Sequence, residues 1–336
     1  MAEAETLVEV WRGPFCESVH RGHAVVWDAD GGIVASWGNP DAVILPRSSC
    51  KMIQALPLIE SGAAEAFGLS EAQLALSCAS HNGAAVHTDM VRAWLGGLGI
   101  DPEEALRCGP QMPGDPDART ALIKTDSSPC QIHNNCSGKH SGFLTLSKHL
   151  GAGPDYVDPD HPVQVAVKSA FEEVTGETSP GYGIDGCSAP NFACTVTGLA
   201  RAMGHFAAAT GAGNARDRAM HRLTRAMAAH PVLVAGEGKS CTALMRAMSG
   251  RASVKTGAEA VFIAIVPERR MGVALKIEDG ATRGSEAVIT RILCGLGVLD
   301  ARHPAALTYT HGPIRNRRDI ATGEIRLAGS LANWAL

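Results

Sequence analysis

Alternating apolar and polar positions open the chain. Residues 6–10, 17–28 and 33–37 read as strands. Asp28-Ala29-Asp30-Gly31-Gly32 between the last two is a hairpin turn, because glycine supplies the positive φ such turns require. Beyond Pro46 the period changes. Met52, Ala55, Leu56 and Ile59 recur at helical spacing, which predicts a helix over 48–61 that Gly62 stops. From about Ser70 to Met248 the pattern is mainly helical, with Gly/Pro-rich interruptions at 108–135 and 175–190. The Ala-rich segments 161–174, 195–210 and 214–229 are helices by propensity. After Lys255 strands return at 260–266 and 271–277, about a turn at 267–270, and a last helix follows over about 284–297. The pattern predicts an α/β fold: an antiparallel sheet completed by both termini and flanked by helices, with an inserted helical lobe. That lobe spans roughly 63–248, inside a single domain of residues 1–336.

Composition narrows the class. The chain has 336 residues, 45% hydrophobic but 4% aromatic, so Ala, Val, Leu, Ile and Met must fill a core large enough to need no disulfide staples. With 37 Gly and 18 Pro it lies well below the roughly 25–30% of low-complexity chains. A net charge of −4 leaves no basic field for nucleic acid, and Arg315, Arg317 and Arg318 read as a solvated turn. No apolar run approaches the roughly 18 residues of a membrane span, so neither nucleic acid nor membrane is expected as a partner. Residues 1–9 are acidic and lack a cationic stretch followed by an apolar one, so no signal peptide is expected. The ten cysteines include no Cys-x-x-Cys pair, which indicates buried thiols in a reducing compartment and a cytoplasmic location.

Candidate chemistry begins at Arg47-Ser48-Ser49-Cys50-Lys51. Residues three apart share a helix face, so Ser48 and Lys51 can meet, and a lysine of lowered pKa can take a serine's proton. The bland reading is a capping serine and a surface lysine. Two further motifs shift the balance. Ser80-His81-Asn82 lies in a turn after the apolar run 74–79, and Lys255-Thr256-Gly257 directly precedes the strand at 260–266. Ser-x-x-Lys, Ser-x-Asn and Lys-Thr-Gly in that order resemble the active-site set of the penicillin-recognising serine hydrolases. The bland reading of the third is a turn leading into a strand.

The densest polar cluster is His133-Asn134-Asn135-Cys136-Ser137-Gly138-Lys139-His140, just before a helix over 143–150. Cysteine and histidine at this spacing can share a metal, and a soft thiolate favours zinc. Gly183-Ile184-Asp185-Gly186-Cys187 is the best second contributor; the competing reading is two buried small hydrophobes. Gly236-Glu237-Gly238-Lys239-Ser240 resembles a phosphate loop, but Leu233 stands where the first glycine belongs. It reads as a turn carrying Cys241. His20 and His23, three apart on a strand, face opposite sides.

Several stretches carry a wider resemblance. They are Pro46-Arg47-Ser48-Ser49-Cys50-Lys51, Cys78-Ala79-Ser80-His81, the 133–140 block, Asp158-Pro159-Asp160-His161-Pro162, Asp185-Gly186-Cys187-Ser188 and Ala274-Leu275-Lys276-Ile277. Together they resemble the rhizobial-type (class 3) L-asparaginases, the constitutive thermostable isoform among them. The resemblance implies a homodimeric amidohydrolase with a serine β-lactamase/glutaminase-like fold and L-asparagine as its small-molecule substrate. It implies two Ser-Lys tandems, Ser48 with Lys51 and Ser80 with Lys255, forming an acyl-enzyme. It also implies a zinc ion on Cys136, Lys139 and Cys187 that aids substrate binding. Arg47, Asn82, His140, Asp185 and Cys241 match substrate-side positions. Cys50 and Ala84 depart from the family, where Ala and Glu are usual. Two other classes remain open: a β-lactamase, peptidase or glutaminase-like serine amidohydrolase, and a zinc-storing or metal-sensing protein.

Overall fold

A computed structural model describes residues 3–336. The chain divides into two compact units: Met1–Ser49 with Cys194–Ala208 and Ala243–Leu336, and Cys50–Ala193 with Ala209–Thr242.

The first unit is built on an antiparallel sheet. Its order is Pro313–Arg315, Ala321–Leu327, Glu5–Arg12, Phe15–Asp28, Met271–Ile277, Val261–Val266 and Ser253–Thr256. The strand Gly32–Trp37 pairs with the second half of Phe15–Asp28, beyond the stretch that pairs with Glu5–Arg12. Both ends of the chain meet here, with Val8 opposite Leu327. Helix Val196–Ala208 packs so closely on Met271–Ile277 that a Cβ on Gly272 would lie 2.1 Å from Gly204 N and 2.3 Å from Ala200 O. Ile277, five residues on and so on the other face, lies beside Gly284 of helix Thr282–Gly295. With helices on both faces, Val261–Val266 is buried throughout, which explains its unbroken apolar run. Close packing on the sheet also explains why Val196–Ala208 groups with this unit rather than with its helical neighbours in sequence.

Helices make most of the second unit. At its centre Ser137–Leu150 is buried from Ser137 to Ser147 although it reads Ser-Gly-Lys-His-Ser-Gly. Gly138 admits the Leu76 carbonyl, which a Cβ would meet at 2.4 Å, and Ser141 and Thr145 return their hydroxyls to the carbonyls four residues back. The helix therefore starts six residues before the predicted 143. The predicted helix over 48–61 is broken into a 3-10 turn Arg47–Cys50 and helices Lys51–Gln54 and Leu56–Glu60. Pro57 has no N–H to continue the ladder, and Gly62 ends the run at φ 83°.

Candidate active site

Lys51 is 1% exposed, and its Nζ donates to Ala79 O at 2.5 Å, Ser80 Oγ at 3.0 Å and Cys136 Sγ at 3.1 Å. Three acceptors are what a buried amino group needs to offset its lost hydration. Ser80 follows the helix Glu71–Ser77, and the segment is tied down by Ser80 N to Val234 O and His81 N to Asn135 O. The predicted pairing gave Ser48 to Lys51 and Ser80 to Lys255; the hydroxyl on Lys51 within the helical unit is that of Ser80.

Beside this pair stands a sulfur cluster. Lys139 and His140 come from the first turn of Ser137–Leu150, and Cys136 immediately precedes it without a side-chain capping bond. Cys187 comes from the hairpin joining Tyr182–Ile184 to Pro190–Phe192, whose tight bend puts Ser188 at φ 69°. Lys139 Nζ lies 3.1 Å from Cys187 Sγ. Cys136 Sγ donates to Asn135 Oδ1 at 3.1 Å, and its pKa is raised by the neighbouring Cys187 and by burial; Cys136, Lys139 and His140 hold Cys187 far below the thiol range. Burial works against a charge on Lys139, but the neighbouring sulfurs Cys187 and Cys136 outweigh it and raise its pKa. His140 is pushed down to about 4, chiefly by burial, and so is neutral. Its Nδ1 lies 2.9 Å from Tyr156 Oη, while its buried Nε2 makes no hydrogen bond of ordinary geometry among the described residues. Cys50 is fully buried near Lys139 and Asp185, and burial pushes its thiol up to about 12.

Two thiols and an amine converging at Cys136, Cys187 and Lys139 form a soft sulfur and nitrogen donor set of the kind zinc takes. No group of three or more His, Cys, Asp or Glu able to hold a metal occurs among the described residues. The Lys139 amine could serve as a third donor beside these sulfurs only in its neutral form.

In the sheet unit Arg47 takes a left-handed backbone (φ 53°), uncommon for a side chain other than glycine, immediately before Ser48. Ser49 folds the turn shut by donating Oγ to Pro46 O at 2.7 Å. Gly257 lies against this turn: a Cβ there would meet Pro46 O at 2.6 Å and Ser49 N at 3.1 Å. The Lys-Thr-Gly motif therefore packs beside the serine motif. Its first two residues are not a turn, however, but part of the strand Ser253–Thr256, with Lys255 opposite Ile263. Lys255 is 1% exposed and its Nζ bonds Thr256 O at 2.8 Å.

The remaining candidates differ. Asn82 is buried, shares a hydrogen bond with Asp115 and packs its amide against Gly236. Asp185 is half-buried at the start of the hairpin turn and accepts Gly186 N. Cys241 is buried just after the 236–240 turn. His133 is spent on capping its own 3-10 turn through Cys130 N. Sequence reasoning missed Tyr156, whose tie to His140 spans sixteen residues, and the bond from Lys51 to Cys136, which spans 85.

Residues 8–327 match the family model described as L-asparaginase II. No curated protein matches the chain. Among solved structures it is similar to a β-lactamase from Mycobacterium bovis, at 13% identity, TM-score 0.40, over 79% of this chain and 89% of that one. It is similar to a class C β-lactamase from Rhodobacter sphaeroides at 14% identity, TM-score 0.40, over 81% and 95%. A D-alanine carboxypeptidase from Burkholderia cenocepacia follows at 12% identity, TM-score 0.41, over 79% and 90%. No helix among the described residues is long and apolar enough to cross a membrane.

Proposed function

The chain belongs to the L-asparaginase II family, and from that premise we propose that it hydrolyses L-asparagine to L-aspartate and ammonia through an acyl-enzyme. The reading places it in the rhizobial-type (class 3) branch with the thermostable constitutive form, as a cytoplasmic homodimer. The observation that carries the chemistry is the Lys51 amine 3.0 Å from Ser80 Oγ, beside the Cys136, Lys139 and Cys187 cluster.

Ser48 attacks the side-chain amide carbon of asparagine, and Lys51, in its neutral amine form, takes the serine proton. Ser80, with Lys255 as its second lysine, passes that proton to the leaving nitrogen, which departs as ammonia. Water then attacks the ester carbon, gives a proton back through the same groups, and releases aspartate with the Ser48 hydroxyl restored. Hydroxyl-to-lysine proton transfer of this kind contributes about 10²–10⁴-fold. Arg47, Asn82, His140 and Asp185 bind the amino-acid end, and Cys241 borders the site. Cys136, Lys139 and Cys187 would hold zinc, whose positive charge favours binding of the amino-acid group.

The test is mass spectrometry of enzyme quenched during turnover of L-asparagine, with L-glutamine in parallel. An aspartyl adduct on Ser48 is expected. An adduct on Ser80 alone reverses the serines, which the Lys51–Ser80 bond favours as the second reading. Steady ammonia release from an enzyme never acylated contradicts the covalent route. L-Glutamine is expected to turn over more slowly, since one methylene is worth about 1–3 kcal/mol in a pocket.

A further inference from the structure

Tyr156 is fully buried, and the structure gives its hydroxyl two neighbours. The backbone N–H of Arg107 lies 2.8 Å away and is a donor by its nature, so Oη accepts there. The other neighbour is His140 Nδ1 at 2.9 Å. Nothing else among the described residues takes the hydroxyl proton, and a buried O–H left without an acceptor is costly. The proton therefore goes to Nδ1, which must carry a lone pair. A neutral imidazole whose Nδ1 accepts holds its own proton at Nε2. That Nε2 is buried and makes no hydrogen bond of ordinary geometry among the described residues, with the Cys187 sulfur as the neighbour acting on the imidazole.

We propose that Tyr156 is a positioning residue: it fixes His140 as the Nε2–H tautomer and makes that nitrogen a donor for an acceptor oxygen of the bound amino acid. The ring is held as well as oriented. Tyr156 stands edge-on to His140 at 5.4 Å, and Gln164 Nε2 anchors the Tyr156 carbonyl at 2.7 Å. A nitrogen bearing hydrogen cannot ligate a metal, so His140 adds no fourth donor to Cys136, Lys139 and Cys187. The identity of the ligand rests on the amidohydrolase reading; the tautomer does not.

Long-range ¹H–¹⁵N correlation on the full-length, histidine-labelled enzyme decides the matter, with His140→Gln used only to assign the signal. The wild-type His140 is expected to be protonated at Nε2 and bare at Nδ1, and its Nε2 proton to shift on addition of L-aspartate. Tyr156→Phe is expected to populate both tautomers and to raise KM roughly tenfold, the scale of one lost hydrogen bond, with a smaller change in kcat and unchanged bound zinc. A wild-type His140 protonated at Nδ1 overturns the proposal, as does Tyr156→Phe with wild-type tautomer and KM. Should that variant not fold, the wild-type spectrum and its response to aspartate still decide. A protein that releases no ammonia from any amide, yet shows Nε2–H at His140, sinks the activity and leaves the Tyr156 pairing intact.

Discussion

Lys51 joins two chemistries that the sequence keeps far apart. Its amine touches a serine hydroxyl and a cysteine sulfur, and its stem is surrounded by core. Lys51→Met keeps the stem and removes only the nitrogen, so ammonia release from L-asparagine should fall by about 10²–10⁴-fold with the circular dichroism spectrum retained. Activity within a few-fold of wild type would remove Lys51 from the reaction. A second prediction concerns His81 and His87, whose rings stack 4.7 Å apart with an interplanar angle of 8°. Burial holds both below the ordinary histidine pKa, the neighbouring ring adding to this for His81. The unfolded chain therefore binds more protons than the native one below about pH 6.5. The stability from neutral burial is fully present above that pH and lost as pH falls toward the folded values, by up to about 1.4 kcal/mol per pH unit for each ring. Urea midpoints between pH 7 and 5 should drop less for His87→Gln than for wild type; parallel curves would contradict the account. At this scale Ser48, Lys51, Ser80 and Lys255 stand out as candidates because short motifs carry their chemistry in their spacing, and the structure brings Lys51 to Ser80. Tyr156 was not, since a hydrogen bond between a loop and a helix leaves no periodic trace.

Elements were legible where one physical signal dominated. The strands near 6–10, 17–28 and 271–277 alternate or run apolar as sheet burial demands, and the helices near 161–174 and 214–229 appear within a few residues of their predicted limits. Errors arose where packing overrode propensity. The start of Ser137–Leu150 is helical because its glycines let neighbouring chains approach, which no local scale rewards. Pro116–Lys124 was lost inside a stretch read as an interruption, although Asp115 caps it and Pro116 occupies the first turn, where proline is welcome. The last strand, Ala321–Leu327, went unpredicted because its half-exposed residues barely alternate. Close approach also gives a prediction. Gly272→Ala should cost about 1–3 kcal/mol or more through overpacking against Gly204 and Ala200. Gly96→Ala, in a helix with nothing within 4 Å of the new methyl, should instead gain up to about 1 kcal/mol. Equal effects in urea denaturation would mean that the helix and strand do not meet as described.

On the scale of the whole molecule, a sheet drawing strands from both ends of the chain was predictable because strand patterns appear near the two ends, although the closing pair, Val8 opposite Leu327, uses a strand that no pattern announced. The grouping of Val196–Ala208 with that sheet was not, since an amphipathic helix does not announce which layer it covers. Family membership over residues 8–327 and the Ser80 hydroxyl beside buried lysines and thiols converge on amide hydrolysis. Ammonia release from L-asparagine by the wild type and by the Ser48→Ala/Ser80→Ala double variant, side by side, tests this most directly. The wild type should release one ammonia per aspartate formed, and the double variant should be slower by at least about 10³-fold. Wild-type rates from a protein lacking both hydroxyls would contradict it.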